Sequence, residues 1–226
     1  MGKKKLERFA EVAGFPHVFE FGFQQIKDGL KLKGKWGSDF FKNDNPIVVE
    51  LGCGKGEYTV GLAQKYSGLN FIGVDIKGNR IWRGAKTALE NKMNNVAFLR
   101  TRIDFIESCF TMNEVSEIWI TFPDPQPQLS RERKRLTSPK FLDRYKNILK
   151  PGGVIHLKTD NQPLWEYTLD VIKENKYQLL VSTNDLYSTV SAEFTEAASI
   201  QTFYENLFSK QGFKICYLSF KFLTNT

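Results

Sequence analysis

Cysteine and histidine are scarce in this chain, with three and two copies among 226 residues. Cys53, Cys109 and Cys216 are scattered and odd in number, His17 and His156 are isolated, and no CxxC or HxxxH pair occurs. A disulfide framework and a structural zinc site both need such pairings, so neither is expected and no metal is assigned. No apolar run approaches the roughly 20 residues of a membrane span. The opening MGKKKLERF has lysines but no apolar h-region, and Leu6 stands where a myristoylation signal needs Ser or Thr. These features predict a cytoplasmic protein without a membrane partner. Internal repeats and low-complexity tracts are lacking too.

What is present bounds the rest. A 41% hydrophobic content in 226 residues can bury one substantial core, and a formal charge of +7 favours a polyanionic partner. Residues 1–45 read as an aromatic and basic N-terminal arm, with Phe15, Phe19, Phe21, Phe23 and Trp36 among Lys27, Lys31, Lys33 and Lys35. One α/β domain is expected over 46–226. There, short apolar runs predict strands at 47–51, 70–75, 96–100, 117–121, 153–159, 177–183 and 214–222. Amphipathic stretches predict helices at 57–66, 79–92, 104–110, 139–149, 161–175 and 202–211. A basic loop spans 122–137 and a polar insertion 184–199. Alternation of this kind describes a doubly wound, mostly parallel seven-stranded sheet with a C-terminal antiparallel strand.

The segment IVVELGCGKGEYT, from Ile47 to Thr59, joins a strand to a helix through Gly52, Gly54 and Gly56, with Glu50 at the strand end. Glycines admit positive φ and let a ligand lie against bare main chain, while the helix N-terminus offers unpaired N–H groups. A dinucleotide fold would space its glycines G-x-G-x-x-G; here the third comes one residue early. Such turns also occur with no ligand. Asp75 closes the next apolar run, where a Rossmann-like fold places its ribose-binding acid. The glycine spacing resembles motif I of the class I S-adenosylmethionine methyltransferases. That resemblance implies their Rossmann-like fold and a cofactor with a cationic sulfonium, for which the Glu50 carboxylate makes electrostatic sense. It also implies a place for Asp104 beside the adenine; the competing reading of Asp104 is an N-cap for the helix beginning at Phe105. Glu50, Asp75, Asp104, Asp124 and Asp160 all fall at carboxyl ends of strands, where ligands bind in such sheets.

After the fourth strand the chain reads TFPDPQPQLSRERKRLT. Phe122, Pro123, Asp124 and Pro125, followed by Arg131, Arg133, Lys134 and Arg135, resemble the FPDP signature of the tRNA (guanine-N7-)-methyltransferases. The resemblance extends to the ELGCGKG turn, to Lys158-Thr159-Asp160 and to TFYENLFSKQGFKI, covering most of residues 47–217. It implies methyl transfer from S-adenosylmethionine to a variable-loop guanine of tRNA, with Asp160, Thr202 and Glu205 on the substrate. The family's substrate lysine falls on Gln128 here and its loop tryptophan on Gln126, so the lysine's role passes to Gln128 or to neighbouring Arg131, Arg133, Lys134 or Lys140. The competing reading of the basic run is a solvated loop.

Guanine N7 carries an in-plane lone pair and no proton at neutral pH, so its methylation needs alignment and no base. The ring becomes cationic, and a carboxylate beside it stabilises the developing charge. Asp124 is the candidate, accepting from the guanine N1–H and amine; its alternative role is shaping the FPDP turn. N7 lies in the deep major groove of A-form RNA, so the base must come from a loop or be exposed by distortion. Two other functions compete: a class I methyltransferase acting on another RNA, a protein or a small molecule, and a cofactor-binding RNA-binding protein without catalysis. Either a monomer or a homodimer fits the sequence.

Overall fold

The computed structural model describes residues 3–189, 192–202, 205, 207 and 212–223. Eight strands form one sheet in the order β1-β4-β3-β2-β5-β6-β8-β7. They are β1 (Val18–Glu20), β2 (Ile47–Leu51), β3 (Asn70–Asp75), β4 (Val96–Arg100), β5 (Val115–Thr121), β6 (Leu149–Thr159), β7 (Gln178–Thr183) and β8 (Cys216–Lys221). Strand β8 runs antiparallel to both β6 and β7, and the pairings among β1 to β6 are parallel. The sheet has one strand more than the seven expected. Val18, Phe19 and Glu20 add an edge strand opposite Phe98, Leu99 and Arg100. Three residues are too few to reveal a period of two.

Helices α1 (Lys3–Ala13), α2 (Glu57–Lys65), α3 (Gly78–Glu90), α4 (Pro139–Ile148), α5 (Gln162–Glu174) and α6 (Thr195–Ser199) cover the sheet. The helix expected at 104–110 is a tighter 3-10 turn, Ile103–Ser108. The one expected at 202–211 lies largely outside the described residues. Helix α6 falls within the stretch read as a polar insertion. Local sequence sets several starts: Asn161 Oδ1 accepts from Leu164 N at 2.9 Å, and prolines occupy the first turns of α4 and α5.

Strand residues alternate between two cores. Val49, Leu51, Ile72, Val74, Ile118 and Ile120 pack on the side of α4 and α5, whereas Val48, Phe71, Phe98 and Trp119 pack on the side of α2 and α3. Strands buried on both faces read as continuous apolar runs, which is why these were legible.

The segment before β2 folds against the amino ends of the strands. Trp36 is fully buried, stacks on Phe110 with ring centroids 5.7 Å apart, and donates its indole N–H to Cys109 O at 3.0 Å. The Glu114 carboxylate accepts from the backbone N–H groups of Gly34, Trp36 and Thr111 at 2.8–3.3 Å. Asn70 Nδ2 donates to Asn43 Oδ1 at 2.7 Å, tying this segment to the first residue of β3. One end of the sheet is thus closed, and the carboxyl ends are left as the place for chemistry.

Candidate active site

The turn after β2 puts Gly52, Gly54 and Gly56 at φ of +78°, +56° and +70°. A Cβ on Gly52 or Gly54 would meet nothing nearer than 3.9 Å, so both turn a bare face to open space. Gly56 differs. A Cβ there would lie 2.6 Å from Phe98 Cε1 and 3.3 Å from Gly84 Cα, and Gly73 and Gly84 crowd the same ring. The third glycine therefore serves the packing of α2 against α3, while the first two leave a cradle.

Asp75 closes β3 and is largely buried. Its Oδ2 accepts from Gly54 N at 3.0 Å and its Oδ1 from Lys77 N at 2.7 Å, locking the glycine turn to the neighbouring strand end. It borders a cleft of about 430 Å³ with Gly52, Ile76, Thr101, Asp104 and Phe141. Asp104 belongs to this cleft but is engaged by cations: Lys140 Nζ lies 2.8 Å and Arg102 Nη2 3.4 Å from its carboxylate. Partial burial raises its pKa, yet Lys140 and Arg102 outweigh that and hold it below the ordinary value. Residue Arg102, not Asp104, occupies the cap position of the following turn.

Glu50 points to the other face. Its Oε2 accepts from Thr59 N at 2.9 Å and from the Thr59 hydroxyl, and its Oε1 from the Thr121 hydroxyl at 2.5 Å. Burial pushes its carboxyl up to about 7 against the pull of those bonds, and the nearby Asp75 charge adds to the rise. It lines a hollow of about 100 Å³ with Gly52, Gly54, Thr121, Phe122 and Thr202. Gly52 borders both cavities, so cleft and hollow form one site.

The FPDP loop carries backbone strain. Phe122 and Gln126 sit at φ of +47° and +44°, a left-handed region in which a non-glycine residue costs on the order of 1–3 kcal/mol. Phe122 N donates to Lys158 O at 2.8 Å, which anchors the loop to β6. Asp124 is exposed; its Oδ1 accepts from Gln126 N at 3.1 Å in an Asx turn, so one carboxylate oxygen shapes the loop and the other is left over.

The basic run forms a 3-10 turn, Leu129–Lys134, led by the exposed Gln128. Arg131, Arg133 and Lys134 are exposed, and Lys134 borders the larger cleft. Arg135 behaves differently: its guanidinium lies 4.2 Å from the Tyr167 ring centroid and its Nε donates to Gln126 O at 3.4 Å, bracing the loop.

Thr202 and Glu205 form a reciprocal capping box, each backbone N–H donating to the other's side chain at 3.1 and 3.2 Å. Thr202 reaches the hollow. Glu205 is fully buried and faces inward, where its Oε1 accepts from Lys158 Nζ at 2.7 Å and from the Tyr187 hydroxyl. Lys158, also fully buried, donates further to Ala197 O at 2.6 Å and Ile200 O at 2.9 Å. Burial pulls its pKa down while Glu205 holds it up, with a net lowering. The sequence reading gave Lys158 no role; the signal was a charge inside the apolar run IHLKT, which requires a partner when buried. Asp160, half-buried just past β6, borders neither cavity. Among the described residues no cluster of three His, Cys, Asp or Glu side chains is placed to hold a metal, and no helix is long and apolar enough to cross a membrane.

A family model described as "Putative methyltransferase" matches residues 44–218. The chain is 52% identical over 220 residues to a tRNA (guanine-N(7)-)-methyltransferase of Christiangramia forsetii, covering 97% of this chain and 98% of that protein. It is 49% identical to a protein of the same name in Bacteroides thetaiotaomicron, over 98% of this chain and 86% of that one. Identity to the one in Cytophaga hutchinsonii is 42%, over 99% of both. Among solved structures, the 16S rRNA methyltransferase KamB superposes with a TM-score of 0.63 at 15% identity, over 83% of this chain and 92% of that one. An antibiotic-related methyltransferase superposes with a TM-score of 0.64 at 13% identity, over 86% and 96%. At these identities the two structures share the fold.

Proposed function

We propose that this chain, which belongs to the tRNA (guanine-N(7)-)-methyltransferase family, takes its methyl group from S-adenosylmethionine and delivers it to guanine 46 in the tRNA variable loop. The observation that carries the reading is the shared Gly52 border between the Asp75 cleft and the hollow holding Glu50, with the FPDP loop at its rim.

The residues present fit S-adenosylmethionine. Gly52 and Gly54 leave space that a Cβ would fill, and Asp75 is fixed by two backbone bonds so that its carboxylate can accept from ribose hydroxyls. Glu50 is a buried carboxylate with no cation paired to it among the described residues, and a sulfonium or amino group nearby would stabilise it. Asp104 stands on the adenine side, held there by Lys140. When bound, the cofactor supplies an electrophilic methyl on a cationic sulfur.

The protein's part is placement. Guanine N7 needs no deprotonation, so the rate depends on holding the lone pair in line and on stabilising charge that builds in the ring. Asp124, fixed between two prolines at the rim, accepts from the guanine N1–H and exocyclic amine through its free oxygen. Arg131, Arg133 and Lys134 face solvent and take phosphates, with Gln128 at the start of their turn and Arg135 bracing it. Thr202 meets the substrate at the hollow; Glu205 acts through the cap it forms with Thr202. Asp160 contacts RNA from beside the site. The substrate places the enzyme in the cytoplasm.

Incubation with unmodified tRNA and labelled S-adenosylmethionine, followed by mapping of the labelled nucleotide, tests this. Label on guanine 46, lost when that base is adenine, is expected. Label at any other position, or on protein, overturns the proposal.

A further inference from the structure

Helix α1 is seated closely on α3. Phe9 Cε1 comes within 3.1 Å of where a Cβ on Gly78 would stand, the Arg8 guanidinium stacks 4.4 Å from the Trp82 ring centroid, and the Trp82 indole N–H donates to Glu11 Oε2 at 2.6 Å. Between the helices runs a groove of about 350 Å³ lined by Arg8, Lys55, Glu57, Arg80, Trp82 and Arg83. Four of these are cations against one carboxylate. Lys55, Glu57 and Arg80 also line the hollow that holds Glu50, Phe122 and Thr202, so the groove opens into the reacting site.

The helix seam accounts for Arg8, which stacks on Trp82, but not for Arg80 or Arg83. Phe9, Arg8 and Glu11 of α1 meet Gly78 and Trp82 of α3, with Glu11 also paired to Lys86 at 3.8 Å. Arg80 and Arg83 are exposed, one helical turn apart on α3, and neither has an acid within ion-pair distance among the described residues. Exposed arginines along a groove that ends at the hollow beside Phe122 and Thr202 match a nucleic-acid backbone, since guanidinium forks bind phosphate bidentately.

We propose that this groove carries the RNA backbone into the active site, with Arg8, Arg80 and Arg83 on successive phosphates. The inference rests on the tRNA reading and gives it a second contact surface, separate from the basic turn at Leu129–Lys134. The test is equilibrium tRNA binding over a salt series for the Arg8→Gln/Arg83→Gln double variant, alongside calorimetry with S-adenosylmethionine and thermal melting. Expected is an affinity loss of about tenfold at low salt and a log–log salt slope smaller by about two, with cofactor affinity unchanged. Arg8→Lys keeps the charge but gives up the flat stack on Trp82, and its slope should stay near wild type. A wild-type slope in the double variant overturns the groove, and wild-type methylation of guanine 46 is a separate result that leaves the parent reading standing. A slope in Arg8→Lys as low as in the double variant also overturns it, because undocking of α1 is then being read. So does a double variant that loses binding to anionic-lipid vesicles while keeping its tRNA affinity, which would assign the groove to a membrane surface.

Discussion

At the amino ends of the parallel strands, Trp36, Phe40, Phe41 and Phe110 form an aromatic plug, and the polar groups around it, Glu114, Asn43 and Asn70, all find partners. At the carboxyl ends of the same strands, Phe122 and Gln126 hold left-handed backbone, and among the described residues Glu50 is buried without a cation and Asp124 keeps one oxygen unengaged. The two ends share strands and apolar layers, so the difference lies in what each end leaves unfinished. The amino end pairs its polar groups within the protein, and the groups that a ligand could satisfy gather at the carboxyl end.

Four substitutions test whether that division is real. Trp36→Ala should cause the largest change: loss of a fully buried indole costs about 3–5 kcal/mol of folding free energy. Urea unfolding should show it, while S-adenosylmethionine affinity in the remaining folded protein stays put. A parallel loss of cofactor binding would mean that the two ends are coupled.

Glu50 comes next. Its folded pKa of about 7 lies above the ordinary 4.5, so the folded state binds the extra proton, and this group's contribution is fully present below pH 4.5 and lost as pH rises through 7. The shift corresponds to roughly 3 kcal/mol. Unfolding measured from pH 4.5 to 8 should show wild type losing stability with pH, and Glu50→Gln, which cannot ionise, should flatten that trend. Calorimetry should also find that S-adenosylmethionine gains affinity over neutral S-adenosylhomocysteine as pH rises through 7 in wild type, and not in Glu50→Gln.

Asp75→Ala should weaken S-adenosylmethionine by about 1.5–3 kcal/mol, the range for losing charge-assisted hydrogen bonds. Unchanged affinity by calorimetry in a folded variant would reduce Asp75 to a clamp for the glycine turn. Asp124→Asn should be the smallest in energy and the most selective: single-turnover methyl transfer falls at least about tenfold, equivalent to about 1.4 kcal/mol, with melting temperature and cofactor affinity nearly unchanged. A wild-type rate would leave the carboxylate only its Asx turn.

The same division explains what could be read from sequence. Strands β2, β3 and β4 were legible to the residue because burial on both faces makes continuous apolar runs, and α2 to α5 were legible with their ends off by a residue or two because each keeps one apolar stripe. The amino-end plug was not legible as structure. Its strand β1 has three residues, and the wide turn at Trp36–Phe41 has no period to recognise. At the carboxyl end, the glycines and acids were visible as types, but their partners were not. Glu205 was visible as an acid in a TxxE pattern, but its pairing with Lys158, 47 positions away in the chain, was not. Gly56 looked like a ligand contact, and its neighbour is a phenylalanine from β4.

That phenylalanine has a consequence for how the chain can drift. Gly56, Gly73 and Gly84 all abut the Phe98 ring, with would-be Cβ contacts of 2.6, 2.9 and 2.8 Å. An Ala at any of the three presses on this ring, and Ala at both 56 and 84 would also press on each other, since a Cβ at either comes within 3.0–3.3 Å of the other's Cα, so the costs are not independent. A smaller residue at position 98 would relieve the ring contact at all three glycines together. Position 98 and the three glycines therefore form one packing unit, in which the room for a side chain at any of the glycines depends on the size of the residue at 98.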